Sequence, residues 1–366
     1  MRLIAAMNHN EFEMMVISMD RETYLADRIR ELGVPVTSLS LKQTPQKIWA
    51  GYKALRDFNP DVIHGTMYQG GVMGTVFRRF LPKQPHVIWT VHEPLEHYDE
   101  EPLRKRLQLR LWGKMSGSPE CLMYVSHLNM EQHLAYGFNN SKAIVIPNGV
   151  DTARFGPARE KGLAIRRSLG IPDDCLVIGK TARYHRQKNH EGFLRSAALL
   201  AAKHDHVRFM LVGTNVDNKN ETLTNLIAEL GLKDKVYMLG NREDIPAIVN
   251  AYDIATLTSL GEAFPLTLGE AMVSAVPCVA TDVGDNAYII DDTGYVVPVA
   301  DDQSMASSWE KIVGLSDEDR QALGQRARQR CLDNFTLEQQ VYQHEELYRT
   351  LHRINDRSVP LGQAVP

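Results

Sequence analysis

Cysteine is scarce and scattered: Cys121, Cys175, Cys278 and Cys331 are the only four in 366 residues, and no C-x-x-C pair occurs. That spacing argues against a thiolate zinc site and a disulfide scaffold, and points to a reducing cytoplasm. Long apolar runs are missing too. No stretch approaches the roughly 20 apolar residues of a bilayer-spanning helix, and the opening MRLIAAMNHNEFEMM lacks a signal-peptide core. A soluble chain is therefore expected. Positive charge is not in excess, with 41 Lys and Arg against 45 Asp and Glu, which speaks against a phosphate-gripping nucleic-acid binder. No strand-like run is followed by G-x-G-x-x-G with an acid about twenty residues on, which speaks against a nicotinamide-dependent oxidoreductase. Neither Asp291-Asp292, Asp301-Asp302 nor Asp217 has Asp-x-Asp spacing at a strand end. A metal-independent protein without a bound cofactor is the simplest expectation.

What the chain has is alternation. Short β-branched apolar runs occur at 12–19, 34–41, 61–67, 86–93, 121–128 and 142–150, and again at 175–184, 207–215, 235–241, 253–260, 277–284 and 294–301, with helical patterns between them. Such alternation is the mark of parallel α/β sheets. Two successive sets predict two doubly wound, Rossmann-like domains facing across a cleft, at residues 1–158 and 159–334, with a seam in the polar stretch DTARFGPAREKG. A terminal helix is expected over 335–352. Residues 353–366 lack periodicity and are expected to be disordered.

Ligands in such sheets bind beyond the C-terminal ends of strands. Two segments there carry chemistry. In TSLGEAFPLTLGEAM (258–272), a strand enters a loop and Pro265 suits the first turn of the next helix. That helix would offer free amides and a positive dipole end to a diphosphate. Glu262 in the loop and Glu270 in the helix are each able to accept two hydroxyl hydrogen bonds from a ribose or a hexose; the competing reading is that both acids complement the helix dipole. In KTARYHRQKNH (180–190), Arg183, Arg186 and Lys188 gather cations at a strand end. Fixed cations stabilise a departing diphosphate, although surface loops also carry such charge.

These residues resemble the retaining glycosyltransferases of the GT-B fold in family 4. The resemblance is carried by IPNGVDTARF (146–155), TARYHRQKNHEGFLRSAALL (181–200) and EAFPLTLGEAMVSAVPCVATDVG (262–284). Glu262 and Glu270 fit the family's Glu-x7-Glu signature, and Arg183 with Lys188 its basic phosphate pair. The resemblance implies transfer of a hexose from a UDP- or GDP-linked donor to a glycan or lipid-linked acceptor, with retention at the anomeric carbon. By the same resemblance, Glu270 holds the ribose and Glu262 orients the hexose. The backbone around Ala263, Phe264, Leu266 and Thr267 meets the diphosphate, Gly213 admits the donor close to the chain, and Arg242 borders the base. His92, at the end of the strand HVIWTVHEP, would hydrogen-bond the hexose or phosphate; a lone histidine is also often structural. Glu262, His92, Arg183 and Lys188 form the expected catalytic set, and the terminal helix is expected to cross back onto the first domain.

The family's usual first strand and its glycine-rich loop find no counterpart, since LIAAMNHNEF resembles the end of a first helix. Asp285-Asn-Ala-Tyr288 replaces the glycine-plus-acid pattern that many members show there, which leaves the donor hexose open. In EPLRKRLQLRLWGK (101–114), Leu103, Leu107 and Leu111 share a helical face beside five basic residues. Such a helix suits either an anionic membrane surface or a domain helix with its apolar stripe on the sheet. A nucleotide-sugar epimerase and a non-catalytic scaffold subunit are the competing functions.

Overall fold

Each of the apolar runs becomes a strand. The computed structural model describes residues 1–95, 98, 102–139 and 141–354, and the strands are β1 (Val16–Ser18), β2 (Val36–Ser38), β3 (Val62–Thr66), β4 (His86–Val91), β5 (Cys121–Tyr124), β6 (Ala143–Val145), β7 (Leu176–Thr181), β8 (Val207–Val212), β9 (Val236–Met238), β10 (Ile254–Leu257), β11 (Cys278–Thr281) and β12 (Gly294–Val297). All the pairings are parallel. Strands covered on both faces read as continuous apolar runs, and every residue of β4, β5, β10 and β11 is buried.

The chain divides into two compact units, residues 1–147 with 337–366, and 148–336. The division falls after Pro147, not near residue 158. The reason is local: Val150 N donates to Phe335 O at 2.9 Å, Val150 bridges Thr336, and Asn148 Nδ2 donates to Phe264 O. Residues 148–158 therefore belong to the second unit.

In the first unit, β1 and β2 form one sheet and β3-β4-β5-β6 another; β1 and β3 are not hydrogen-bonded to each other. The segment that resembles the end of a helix contains one, Arg2–Ala6. The C-terminal helix Leu337–Ile354 packs Leu347 and Leu351 against Ile88, Met123 and Ile146. His64 on β3 joins Tyr348 OH through Nδ1 at 2.6 Å and Thr90 through Nε2. Arg349 pairs with Glu11, Glu345 and Glu346. The helix runs two residues past the expected end, and the remainder of the expected disordered tail lies outside the described residues.

The second unit is one six-stranded sheet in the order β12-β11-β10-β7-β8-β9. Its core centres on Phe193, Phe209 and Trp309, whose indole Nε1 donates to Thr256 Oγ1 at 2.9 Å. A buried indole N–H needs such a partner. The strand order reverses between β10 and β7, so the chain leaves these neighbours toward opposite flanks and their C-terminal ends border the crevice in which doubly wound sheets bind ligands.

Candidate functional site

The two segments singled out by their chemistry are the ones that leave β7 and β10 at this reversal. After β7 the chain stays extended, with Ala182 N and Tyr184 N donating to Val212 O and Thr214 O at 2.8 Å. It then makes a single tight turn, Arg186–Lys188. Asn189 ends the turn in the left-handed region (φ 47°), which asparagine tolerates, and its side chain caps helix His190–Ala201 by accepting from Gly192 N at 3.0 Å. Lys188 is thereby fixed between a turn and a helix start.

The loop after β10 is fastened to this turn. Leu260 N donates to Gln187 O at 2.8 Å, and Thr258 Oγ1 donates to Asn189 O at 2.7 Å. This brings Glu262 to Lys188: Nζ and Oε1 form an ion pair, with side chains only 24% and 12% exposed. Ser259 Oγ donates to the same Oε1 at 2.7 Å, and Thr281 Oγ1 donates to Ser259 O at 2.6 Å. Gly284 (φ 54°) closes the far side, where a Cβ would stand 2.5 Å from Glu262 O and 2.6 Å from Ala263 O. Asp285 N donates to Ala263 O at 3.2 Å.

Helix Leu266–Val273 follows with Pro265 at its N-cap, one residue before the expected position. Among the described residues its N-cap, Pro265, makes no side-chain cap and no acid lies in its first turn, an arrangement that suits a helix start to an anion. The reading in which both acids serve this dipole fails for Glu262, which is committed to Lys188. Leu266, Thr267 and Glu270 are half-buried on this helix, and Ala263 and Phe264 are buried before it.

The remaining expected residues divide. Arg183 is exposed and has no ion pair or side-chain hydrogen bond among the described residues. Gly213 sits at the end of β8, where a Cβ would lie 2.1 Å from Ala182 O. It admits the backbone preceding Arg183, and so sets where the basic loop runs. Arg242 is tied locally to Asp244 by hydrogen bonds of 2.8 and 2.6 Å, and none joins it to the Lys188–Glu262 pair. His92 belongs to the first unit, at the C-terminal end of β4; burial lowers its pKa, so it presents a neutral imidazole at neutral pH.

Sequence reasoning passed over Ser259, Thr258, Thr281 and Gly284. The signal for Gly284 was present, a glycine directly after a strand. The hydroxyls gave none, because their partners lie on other strands. It also gave no role to Lys180 on β7, which is 1% exposed and donates from Nζ to Thr258 Oγ1 at 2.9 Å.

Comparison with known proteins gives a consistent picture. The family described as glycosyl transferases group 1 matches residues 163–330, and glycosyltransferase family 4 matches residues 1–154. The UDP-Gal:alpha-D-GlcNAc-diphosphoundecaprenol alpha-1,3-galactosyltransferase of Escherichia coli is 26% identical over 336 residues, 89% of this chain and 85% of that protein. The lipopolysaccharide core biosynthesis mannosyltransferase LpsB of Rhizobium meliloti is 30% identical over 57% of this chain and 61% of its own length. Among solved structures, HepE of Anabaena in complex with UDP superposes with a TM-score of 0.83 at 19% identity, covering 95% of each chain. HepE has also been solved with UDP-glucose, at a TM-score of 0.77 and 18% identity over 92% of this chain and all of that one. With both units matched in sequence and the fold matched across nearly the whole chain, the protein is a GT-B glycosyltransferase of family 4.

Proposed function

We propose that this enzyme moves a hexose from a UDP- or GDP-linked donor to a lipid-linked glycan acceptor, with retention at the anomeric carbon, in bacterial surface polysaccharide assembly. The observation that carries the reading is the pairing of Lys188 with Glu262 ahead of helix Leu266–Val273, at the point where the strand order reverses, with Arg183 on the same loop as Lys188. A UDP-linked donor and a lipid diphosphate acceptor are favoured by the name of the Escherichia coli relative.

In this reading Arg183, Lys188 and the amides around Phe264, Leu266 and Thr267 receive the diphosphate, Glu270 holds the ribose, and Glu262 orients the hexose. The anomeric C–O bond to the diphosphate breaks as an acceptor oxygen bonds to the same carbon from the same face, and the acceptor's proton passes to the departing phosphate oxygen. The two cations balance the charge that develops, without a metal. The test is a screen of UDP- and GDP-hexoses against a synthetic lipid diphosphate saccharide, with the product's anomeric coupling read by NMR. An α-linked product from an α-linked donor, formed undiminished in EDTA, is expected. An inverted product overturns the retaining mechanism, and free or isomerised sugar with no transfer overturns the assignment of reaction.

A membrane role on the inner face of the cytoplasmic membrane is supported by helix Leu103–Met115. Leu103, Leu107 and Leu111 are 67%, 53% and 56% exposed, while Leu109 and Gly113 on another face are buried and Trp112 stacks on Tyr68 at 4.6 Å. The leucine stripe is therefore not the face that packs on the sheet. Arg104, Arg110 and Lys114 are exposed on the same helix, an apolar and basic combination complementary to an anionic lipid surface. No helix among the described residues is long and apolar enough to cross a membrane.

A further inference from the structure

Lysine rarely lies fully buried without a carboxylate bonded to it, yet Lys180 does. Its side chain rises from β7 alongside Leu211 of β8 and is 1% exposed. The ammonium carries three protons, and among the described residues it has one hydrogen-bond acceptor, Thr258 Oγ1 at 2.9 Å. Thr258 in turn donates to Asn189 O, the residue that ends the Lys188 turn. Lys180 therefore stands directly behind the site, on the hydroxyl that fastens the loop after β10 to the loop after β7.

The charged and titratable groups around it come from three elements. The turn Arg186–Lys188 contributes Lys188, the loop after β10 contributes Glu262, and helix His190–Ala201 contributes Glu191 and His190. Lys188 opposes a charge on Lys180, while Glu262 and Glu191 favour it. Glu262 is already shared between Lys188 and Ser259, and Glu191 accepts from Tyr184 OH at 2.7 Å. Neither carboxylate is bonded to Lys180.

We propose that Lys180 is a positioning residue of the donor site, taking up a proton as the diphosphate of a nucleotide donor arrives and so coupling donor binding to pH. The proposal rests on the donor-site reading above and extends it to a residue that touches no substrate. The physical reason is electrostatic. Burial, with Lys188 beside it, lowers the Lys180 pKa to about 7 in the unliganded protein. Two added negative charges close to a dry ammonium favour its charged form and raise that value on binding. His190, lowered to about 3 by burial and by Lys180 itself, stays neutral throughout and does not supply the effect. The sign follows: donor binding takes up a proton between the free and bound pKa values, so affinity is highest below about pH 7 and falls as pH rises above it. The proton also fixes the ammonium on Thr258, and with it the register of the two loops that carry Lys188 and Glu262.

The experiment is calorimetric titration of the protein with UDP at pH 8, in buffers of different ionisation heat. At that pH the terminal phosphate of UDP, with its second ionisation near about pH 6, is already charged, so uptake reports on the protein. Uptake of roughly half a proton or more per UDP is expected, as a rise of a unit or more in the Lys180 pKa gives. Lys180→Met, which keeps the length and removes the charge, should abolish the uptake and flatten the pH dependence of UDP affinity between about pH 7 and 9. Wild-type binding without proton uptake overturns the proposal and leaves the donor site standing. Equal uptake by a folded Lys180→Met protein does the same. Wild-type protein that does not bind UDP at all overturns both this proposal and the UDP-donor reading beneath it. The wild-type measurement decides even where the variant fails to fold.

Discussion

Glu262 and Lys188 are 74 positions apart in sequence and meet only because the loops after β7 and β10 are fastened to each other. Their pairing has a chemical use. Under the proposed function, an ammonium already held by one carboxylate oxygen is aimed at the incoming diphosphate, and the carboxylate's second oxygen serves a sugar hydroxyl. Each partner then has a role that its isostere cannot fill. Lys188→Met and Glu262→Gln are each expected to lower the transfer rate by about 10²-fold or more, on the scale seen when one preorganised charge is removed from an active site. The double variant should lose less than the product of the two, because the residues act as a unit; initial rates of the three proteins check this. Gly213 makes a different kind of contribution. Gly213→Ala would drive a Cβ against Ala182 O, 2.1 Å away, at a cost of about 1–3 kcal/mol. Thermal melting should fall by roughly 2–10 °C, and UDP affinity should drop as the Arg183 backbone moves. The sequence singles out Gly213 by resemblance; its close approach to Ala182 on the chain that continues β7 is displayed by no single run of residues.

Elements were legible where burial dictates composition. Strands β4, β5, β10 and β11 read as unbroken apolar runs because a parallel sheet covers both of their faces. The start of helix Leu266–Val273 was displaced by one residue, since proline serves at the N-cap as well as within the first turn. Helix Leu103–Met115 was ambiguous for a stated physical reason: amphipathicity alone does not say which face meets protein. In the fold Leu103, Leu107 and Leu111 are exposed while Leu109 and Gly113 are buried. Changing Leu107 and Leu111 to aspartate should abolish flotation with anionic vesicles while leaving melting and UDP affinity unaltered. Reversing Arg104, Arg110 and Lys114 to glutamate should weaken flotation by about 10²-fold or more at low salt, at roughly 1 kcal/mol per charge near the surface. Unchanged flotation in both proteins would remove this helix from any membrane role.

Across the whole molecule, the second unit joins stability and site through one sheet. At its base Arg166, almost fully buried, pairs with Asp253 and donates to Ala251 O at 2.8 Å and Cys175 O at 3.2 Å, while Asp253 also accepts from Val177 N at 2.7 Å. Asp253→Ala would strand a buried guanidinium and is expected to cost about 3–5 kcal/mol, read as a lowered denaturation midpoint. Twelve strands and two units follow from the sequence pattern, but the strand order does not, because pairing partners are set by packing between distant segments. That order is what turns two basic and acidic loops into neighbours. Lys180 shows the same limit: its partner Thr258 lies on the loop after β10, 78 positions away in sequence. The loops after β7 and β10 are expected to hold a nucleotide diphosphate. Calorimetric titration with UDP tests it most directly. Saturable binding is predicted, weakened about tenfold or more by Arg183→Ala and by Lys188→Met, as expected for loss of a charge-assisted contact, with melting unaltered in UDP-free Arg183→Ala protein. Absent binding of both UDP and GDP, or binding that survives both substitutions intact, would contradict it.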